Sequence, residues 1–337
     1  MIKKAIYKLS NGENLNKEET KLTMQEIMEG KATNAQIAGF LMGMRIKGET
    51  IEEITALAQV MRKKANTLEY NEELFEIVGT GGDEANTFNI STTAGFVISA
   101  SGVKVAKHGN RNISSSCGAA DCLEALGLNL TLNSKQNIKM LDKIGMCFMF
   151  APNYHSSMKY ASSVRKELGI RTVFNILGPL ANPANATRQL MGVYKEELVE
   201  PLAKVLANLG VKRGAVVHGY DGLDEITVCN KTLVCEIDNG KFYSYTLDPH
   251  DYAMEYAQVQ ELVGGDKLEN AKITKSILMG EKSSRRNAVV LNAGMSIYLA
   301  KEDISLKDSI NLAENLIDSG LAAKKMHDFI SYSKEVG

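Results

Sequence analysis

Residues 74–106 read LFEIVGTGGDEANTFNISTTAGFVISASGVKVA, and this stretch decides the fold class. A short apolar run ends at Gly79, a helical pattern over 91–101 closes at Gly102, and another apolar run covers 103–106. The order strand, loop, helix and strand predicts two parallel strands that are joined by a helical crossover.

The same alternation continues towards the C-terminus. Helical patterns that close at a glycine cover 119–126 and 196–209, and strand patterns cover 188–194 and 214–219. Residues 232–246, interrupted by Asp-Asn-Gly, predict a β-hairpin insertion. Closing helices are predicted at 270–279, 286–300, 306–318 and 322–333. We therefore predict an α/β fold with a mostly parallel central sheet.

The N-terminal part of the chain shows helical patterns only. Three capping boxes predict where its helices begin, namely Asn16 with Glu19, Thr33 with Gln36 and Thr50 with Glu53. We predict a small helical domain over 1–68, which helices near 155–180 could join, and a large α/β domain over 69–337. A dimer surface is the alternative interpretation of the helical part.

The composition is that of an ordinary globular protein of 337 residues with a formal net charge of -1. Lys and Arg number 39 and Asp and Glu number 40, so we expect no nucleic-acid partner. A polyanionic ligand would therefore have to be held by local charges, backbone amides or metal ions.

The cysteine pattern and the hydropathy predict a cytoplasmic protein without membrane contact. The five cysteines are odd in number and contain no CxxC pair, so neither a zinc site nor a disulfide framework is expected. The apolar run before Lys8 is too short for a signal peptide. No apolar stretch approaches the roughly 20 residues that span a bilayer.

The first candidate phosphate-binding loop is GTGGD, from Gly79 to Asp83, directly after a predicted strand. Glycines let backbone amides close around a ligand, and α/β proteins bind ligands where their strands end. Ser91 and Thr92 then open a helix, whose free amides and dipole suit phosphate. A tight turn followed by ordinary helix caps is the alternative interpretation.

The second candidate loop is KHGNRNISSS, residues 107–116, between a predicted strand and a predicted helix. It brings Lys107 and Arg111, a histidine, a glycine and three serines to one strand end. Cationic side chains combined with backbone amides make a strong oxyanion site. A solvated polar loop is the alternative, and a purely structural role remains open for His108.

Two further features could complete a site. Asp224 and Glu225 follow the strand predicted at 214–219, and magnesium takes one or two carboxylates together with phosphate oxygens. An acidic solvent-facing turn is the alternative. His155 precedes a helix on which Arg165 could pair with a carboxylate, and an exposed helical arginine is the alternative interpretation. The proline-containing segment that follows has no function that its composition reveals.

The chain resembles the anthranilate phosphoribosyltransferase family in five motifs. They are GTGGD (79–83), TFNIST (87–92), KHGNRNISSSCGAADCLEALG (107–127), FAPNYHSSMKYASSVRKELGIRTVFNILGPLANP (150–183) and HGYDGLDEIT (218–227). The resemblance implies a tryptophan-pathway enzyme that joins anthranilate to 5-phosphoribosyl 1-pyrophosphate (PRPP) and releases pyrophosphate. It also implies a nucleoside-phosphorylase-like topology, a homodimer formed through the helical domain and two magnesium ions per active site.

The resemblance also implies site residues, position by position. PRPP would be bound by Gly79, Gly82, Asp83, Thr87, Asn89, Ile90, Ser91, Thr92, Lys107, His108, Gly109, Asn110, Arg111, Asn112, Ile113, Ser114, Ser115 and Ala119. Anthranilate would be bound by Gly79, Asn110, His155 and Arg165, and magnesium by Ser91, Asp224 and Glu225. No general base is assigned. Ala119 replaces a serine that touches the donor in many relatives, and Ser157 replaces a frequent alanine.

Three other functions are compatible with these features. A nucleoside phosphorylase would share the architecture but use phosphate as the nucleophile. A non-catalytic relative would bind phosphorylated ligands or nucleic acid, which the intact loops and the balanced charge argue against. The same transfer to another aromatic acid is the third alternative.

Overall fold

The computed structural model describes residues 1–111 and 117–337. The predicted donor-binding residues Asn112, Ile113, Ser114 and Ser115 lie outside the described residues. Within these two ranges, the chain forms seven strands in one sheet, together with fifteen α-helices.

The strands are β1 Phe75–Gly79, β2 Val105–Gly109, β3 Met146–Phe150, β4 Arg188–Gly192, β5 Arg213–Gly219, β6 Thr232–Asp238 and β7 Lys241–Leu247. Their order across the sheet is β3-β2-β1-β4-β5-β6-β7. β1 to β5 pair in parallel, whereas β6 and β7 pair antiparallel at one edge. The strand order reverses between β1 and β4, and α/β proteins bind ligands at such a switch point.

The helices are α1 Ile2–Ser10, α2 Lys17–Met28, α3 Asn34–Lys47, α4 Ile51–Lys64, α5 Ile90–Ala100, α6 Ala119–Leu126, α7 Ser134–Ile144, α8 Ala151–Tyr154, α9 Lys159–Leu168, α10 Phe174–Leu180, α11 Val199–Asn208, α12 Lys267–Leu278, α13 Ser284–Ala300, α14 Leu306–Asp318 and α15 Leu321–Val336. None that lies in the described part of the chain has both the length and the apolar character needed to span a bilayer.

Both faces of the sheet are covered, as a parallel sheet requires. Consecutive strand residues point to opposite faces, so Leu190 and Met191 of β4 belong to two separate apolar clusters. The first cluster includes α5, α13 and α15. The second includes α11 and the N-terminal helices. The sheet is therefore rigidly held, and its strand ends can position a site.

The N-terminal helices form a bundle that two later helices join. α9 contacts α2 and α3, and α10 contacts α4. All three predicted capping boxes are present, with both hydrogen bonds made at the starts of α2, α3 and α4. A helical part beside a mostly parallel α/β part confirms the predicted fold class.

The fold differs from the sequence predictions in several details, one of which is that helix α7 was not among the predicted helices. Strand β3 was not expected, because its five residues MCFMF form a short, buried apolar run without the alternation that marks a strand. The hairpin is no separate insertion, since β6 pairs with β5 and thereby extends the sheet. Its turn places Asn239 and Gly240 at φ 47° and 84°, as a two-residue hairpin turn requires.

Candidate active site

The GTGGD loop begins at the carboxyl end of β1, at the switch point of the sheet. A Cβ atom on Gly79 would lie 2.3 Å from Asp224 Oδ2, and one on Gly192 would lie 1.6 Å from the Asp224 carbonyl oxygen. Gly81 N donates a hydrogen bond to Asp224 Oδ2 at 2.6 Å. Glycine at the ends of β1 and β4 is therefore what lets the Asp224 turn lie against the loop.

Three carboxylates meet at this turn. Asp224 is buried, and burial followed by the charges of Asp83 and Glu225 raises its pKa well above the usual value. Burial likewise raises the pKa of Glu225 to about 7, opposed by Lys107 and by Ser91. Asp83 Oδ2 is also buried and has no hydrogen-bond partner among the described residues. Lys107 therefore offsets the charge of Glu225, while the pKa of Asp224 is raised further by its two carboxylate neighbours.

The cluster does not form a complete metal site by itself. Within the described ranges, no group of three or more His, Cys, Asp or Glu side chains is arranged to hold a metal ion. A hard cation bound here would need further oxygen ligands. Phosphate oxygens of a bound ligand are the usual source for magnesium.

Lys107 links the two predicted phosphate loops. Its Nζ donates to the Ile77 carbonyl oxygen at 2.7 Å and to Ser91 Oγ at 3.2 Å. Ser91 N in turn donates to Glu225 Oε1 at 3.2 Å, so β1, β2, the start of α5 and the Asp224 turn converge. Burial lowers the pKa of Lys107 to about 8, while Glu225 and Glu76 favour its charged form.

Two histidines lie side by side near the end of β2. The rings of His108 and His155 are 5.0 Å apart between centroids, and both side chains are buried. Burial lowers the pKa of His108 to about 3 and that of His155 to about 4, so both rings are neutral at pH 7. Neither Nε2 has a hydrogen-bond partner among the described residues.

The segment after α9 supports these rings. Backbone carbonyl groups of Gly178 and Ala181 favour the charged forms of His108 and His155, respectively, and so oppose the lowering of their pKa values. A neutral imidazole whose Nδ1 carries the proton keeps a lone pair on Nε2. Asn182 Nδ2 donates to the Ala106 carbonyl oxygen at 2.9 Å and fastens the segment to β2. This is the structural role that composition did not reveal.

Arg165 has the environment expected of a carboxylate-binding arginine. Its guanidinium lies over the Phe174 ring, 5.4 Å from the centroid, and makes no hydrogen bond or ion pair with any described residue. Burial lowers its pKa. A partly buried cation without a partner is costly, so a ligand anion would be favourable there.

Several predicted residues have fewer groups available for ligand binding than their sequence position suggests. Arg111 pairs with Asp121 Oδ1 at 2.8 Å and with Glu124 Oε1 at 2.6 Å, so its charge is already compensated. The side chains of Ile90 and Thr92 are buried in α5. Ile90 N already donates to the Phe88 carbonyl oxygen at 2.7 Å, so within the described part of the chain only Thr92 of these two residues has a backbone amide left for a ligand. Binding by Arg111 would require it to release α6.

The remaining predicted residues line the same strand ends. Asn110 is exposed, whereas Asn89 Nδ2 donates to the Cys117 carbonyl oxygen at 3.2 Å. Thr87 forms an isolated bridge with Val263. A Cβ atom on Gly109 would lie 3.2 Å from Ala119 Cβ, so the methyl group stands close to the loop at the position where the family resemblance leads us to expect a hydroxyl.

One residue of this region was missed by sequence reasoning. Arg171 Nη2 donates to the Gly82 carbonyl oxygen and to Glu84 Oε1, the latter at 2.8 Å. Arg171 lies 89 positions after Gly82, and no local pattern indicates such a contact. Only the position of its segment next to the predicted acceptor helix could have suggested it.

Two family models match the chain. The model described as "Glycosyl transferase family, helical bundle domain" matches residues 3–65. The model described as "Glycosyl transferase family, a/b domain" matches residues 71–323. Together they cover both the bundle and the sheet.

Relatives with known names match along the whole length. An anthranilate phosphoribosyltransferase of Ruminiclostridium cellulolyticum is 57% identical over 99% of this chain and 98% of its own length. Another from Methanobrevibacter smithii is 54% identical over 99% of both chains.

Solved structures of proteins with the same name superpose closely. The enzyme of Thermus thermophilus gives a TM-score of 0.93 at 39% identity, covering 98% of this chain and 99% of its own. The Saccharomyces cerevisiae enzyme in complex with PRPP and Mg gives 0.92 at 27% identity, over 99% and 98% of the two chains. Its complex with 4-fluoroanthranilate gives 0.90 at 28% identity over the same shares.

Proposed function

Because the chain belongs to the anthranilate phosphoribosyltransferase family, we propose that it transfers the phosphoribosyl group of PRPP to anthranilate. The products are N-(5-phosphoribosyl)anthranilate and pyrophosphate, and the step belongs to tryptophan biosynthesis. The observation that carries the proposal is the meeting of the GTGGD loop, Lys107, Ser91 and the Asp224 turn at the switch point of the sheet.

PRPP is a polyanion, and the residues at the proposed site offer N–H donors and a cation that complement its negative charge. The amides of Gly82, Asp83 and Thr92 can donate to phosphate oxygens, because they have no acceptor among the described residues. Those of Gly81 and Ser91 already donate to Asp224 and Glu225 and would have to change partner. Lys107 adds a buried cation next to Ser91. We propose that these groups, with the other predicted donor residues, hold PRPP.

Magnesium fits the residues present. Three carboxylates lie close enough to repel one another, namely Asp83, Asp224 and Glu225, and a divalent cation would neutralise their charge. Magnesium prefers oxygen ligands of this kind. We propose that Ser91, Asp224 and Glu225 hold magnesium, with two ions per active site. When bound, the metal would stabilise the negative charge that grows on pyrophosphate as the C1–O bond breaks.

The acceptor side is built by α9 and the segment after it. We propose that Arg165 binds the anthranilate carboxylate, because its guanidinium has no partner within the described part of the chain and is already oriented by Phe174. The unpartnered Nε2 atoms of His108 and His155 can accept hydrogen bonds from the aromatic amine. Gly79 and Asn110 complete the proposed acceptor site.

Positioning rather than strong base catalysis should drive the reaction. An aromatic amine is neutral at pH 7, so it can attack C1 without first losing a proton. His108 and His155, with pKa values near 3 and 4, would orient the amine but are weak bases. Alignment of the amine with C1 and stabilisation of the leaving group then lower the barrier.

The remaining expectations concern organisation. We propose a helical domain over 1–68 that α9 and α10 join, and an α/β domain over 69–337; the gap between the two family models at 65 and 71 supports this boundary. A homodimer through the helical domain is proposed because Tyr7 and Ile46 are 70% and 79% exposed on α1 and α3. We also propose a cytoplasmic location, which the unpaired cysteines support.

Loss of anthranilate fluorescence tests the function directly. Wild-type protein mixed with PRPP, magnesium and anthranilate should consume the fluorophore, and omission of PRPP or magnesium should prevent this. Phosphorolysis of thymidine or uridine in place of this reaction would indicate a nucleoside phosphorylase. If another aromatic acid were consumed faster than anthranilate, that acid would be the preferred acceptor.

A further inference from the structure

Arg171 connects the acceptor side of the site to the donor loop. It follows Gly169, the left-handed glycine that ends α9, by two residues. Its Nη2 donates to the Gly82 carbonyl oxygen in the middle of GTGGD and to Glu84 Oε1 at 2.8 Å. The side chain therefore spans from the end of the acceptor helix to the loop that faces the donor.

The position of Arg171 is fixed by elements on several sides. Its guanidinium lies over the ring of Tyr194, just after β4, at 4.6 Å from the centroid. Arg45 of α3 donates from Nη1 to the Arg171 carbonyl oxygen at 2.5 Å. A stacked ring and an anchored backbone limit the freedom of the side chain, so its hydrogen bonds can hold a loop in place.

The close approach depends on glycine in the donor loop. Gly82 has φ +81°, and a Cβ atom there would lie 3.3 Å from Arg171 Nε. Glu84 is 86% exposed, so its ion pair with Arg171 contributes little in water. The hydrogen bond to the Gly82 carbonyl and the stacking on Tyr194 therefore contribute most of the stabilisation of this link.

We propose that Arg171 is a positioning residue that couples the donor loop to the acceptor helix. Arg165 and Arg171 lie on the two sides of the same helix end, and Gly169 N donates to the Arg165 carbonyl oxygen at 3.2 Å. A shift of the loop around a bound donor is transmitted through Arg171 to this helix end. Arg165 is thereby kept aligned with C1 of bound PRPP. This role rests on the proposed function.

The test combines kinetics with hydrogen exchange. Arg171→Ala should raise the KM for PRPP about tenfold, because it removes roughly one hydrogen bond from a charged guanidinium to the loop that holds PRPP. The same change should also raise the KM for anthranilate. Arg171→Lys should rescue little, since an ammonium cannot stack and fork in the same way. Glu84→Gln is the matched control and should stay within about twofold of wild type, because an exposed ion pair contributes little.

Hydrogen exchange measures the coupling between the GTGGD loop and α9 in the absence of turnover. PRPP with magnesium should slow amide exchange in wild-type protein over both 79–91 and 159–172. In Arg171→Ala, the slowing should persist over 79–91 and disappear over 159–172. Equal slowing in both proteins, no slowing at 159–172 in wild type, or an equal kinetic loss in Glu84→Gln would overturn the role. A wild-type protein that does not consume anthranilate would instead refute the proposed function.

Discussion

The paired histidines predict a specific loss of stability in mild acid. A ring whose pKa is lowered in the folded state takes up its proton more readily when unfolded, so stability is complete above the unfolded pKa and falls as the pH drops below it. For His108 and His155 this window runs from the ordinary value of 6.5 down to about 3 and about 4.

The magnitude follows from those pKa values. At about pH 5 the unfolded ring gains about 2 kcal/mol from protonation, whereas the folded ring gains almost nothing. Each histidine therefore lowers the free energy of unfolding by about 2 kcal/mol relative to about pH 8. Glu76 and Glu225 act in the opposite direction, because burial raises their pKa values to about 7 and their folded forms retain protons.

A difference between variants separates these effects. Urea unfolding of wild type and of His155→Gln is measured from about pH 8 to about pH 5, and the carboxylate contributions cancel in the comparison. The wild type should lose about 2 kcal/mol more than the variant over this range. His250→Gln, which removes an exposed imidazole, serves as the matched control. Parallel curves for wild type and His155→Gln would refute the assignment of a buried, neutral ring.

Three further predictions concern the two halves of the site. Arg165→Ala should raise the KM for anthranilate about 10- to 100-fold and the KM for PRPP much less, because it removes one charge-assisted carboxylate pair; equal effects on both would argue against that role. Asp224→Asn combined with Glu225→Gln should abolish magnesium-dependent turnover while circular dichroism stays unchanged, and full activity would remove the metal assignment. Gly79→Ala should lower kcat sharply, because the new Cβ would lie 2.3 Å from Asp224 Oδ2; unchanged kinetics would show that the turn can move.

The convergence of the residues proposed to bind the donor was predictable, because local sequence carries their chemistry. A glycine loop after an apolar run, Lys107 after the next, and Asp224 after a third indicate phosphate and metal binding before any geometry is known. The carboxyl ends of parallel strands lie at one edge of a sheet, so these groups had to converge. Strand β3, by contrast, has no alternation that would distinguish it from a buried helical segment.

The contacts of the proposed acceptor half could not be derived in this way, because they cross long stretches of chain. Gly178 and His108 meet only after the segment that follows α9 has packed against β2, and Arg171 reaches Gly82 across 89 positions. Arg111 shows the converse limit. Its loop position indicates anion binding, yet Asp121 and Glu124 already compensate its charge.

The burial that makes the histidine pair sensitive to acid also suits it to the proposed reaction. Positive charge develops on the sugar as the C1–O bond breaks, and an imidazolium beside it would oppose that charge. Desolvation keeps both rings neutral at pH 7, and neither Nε2 has a hydrogen-bond partner among the described residues. Fixed cations stand elsewhere, with Arg165 on the acceptor helix and Lys107 beside Ser91. Positive charge is thus available for the anionic ends of both substrates, while polar but uncharged groups are left for the attacking nitrogen.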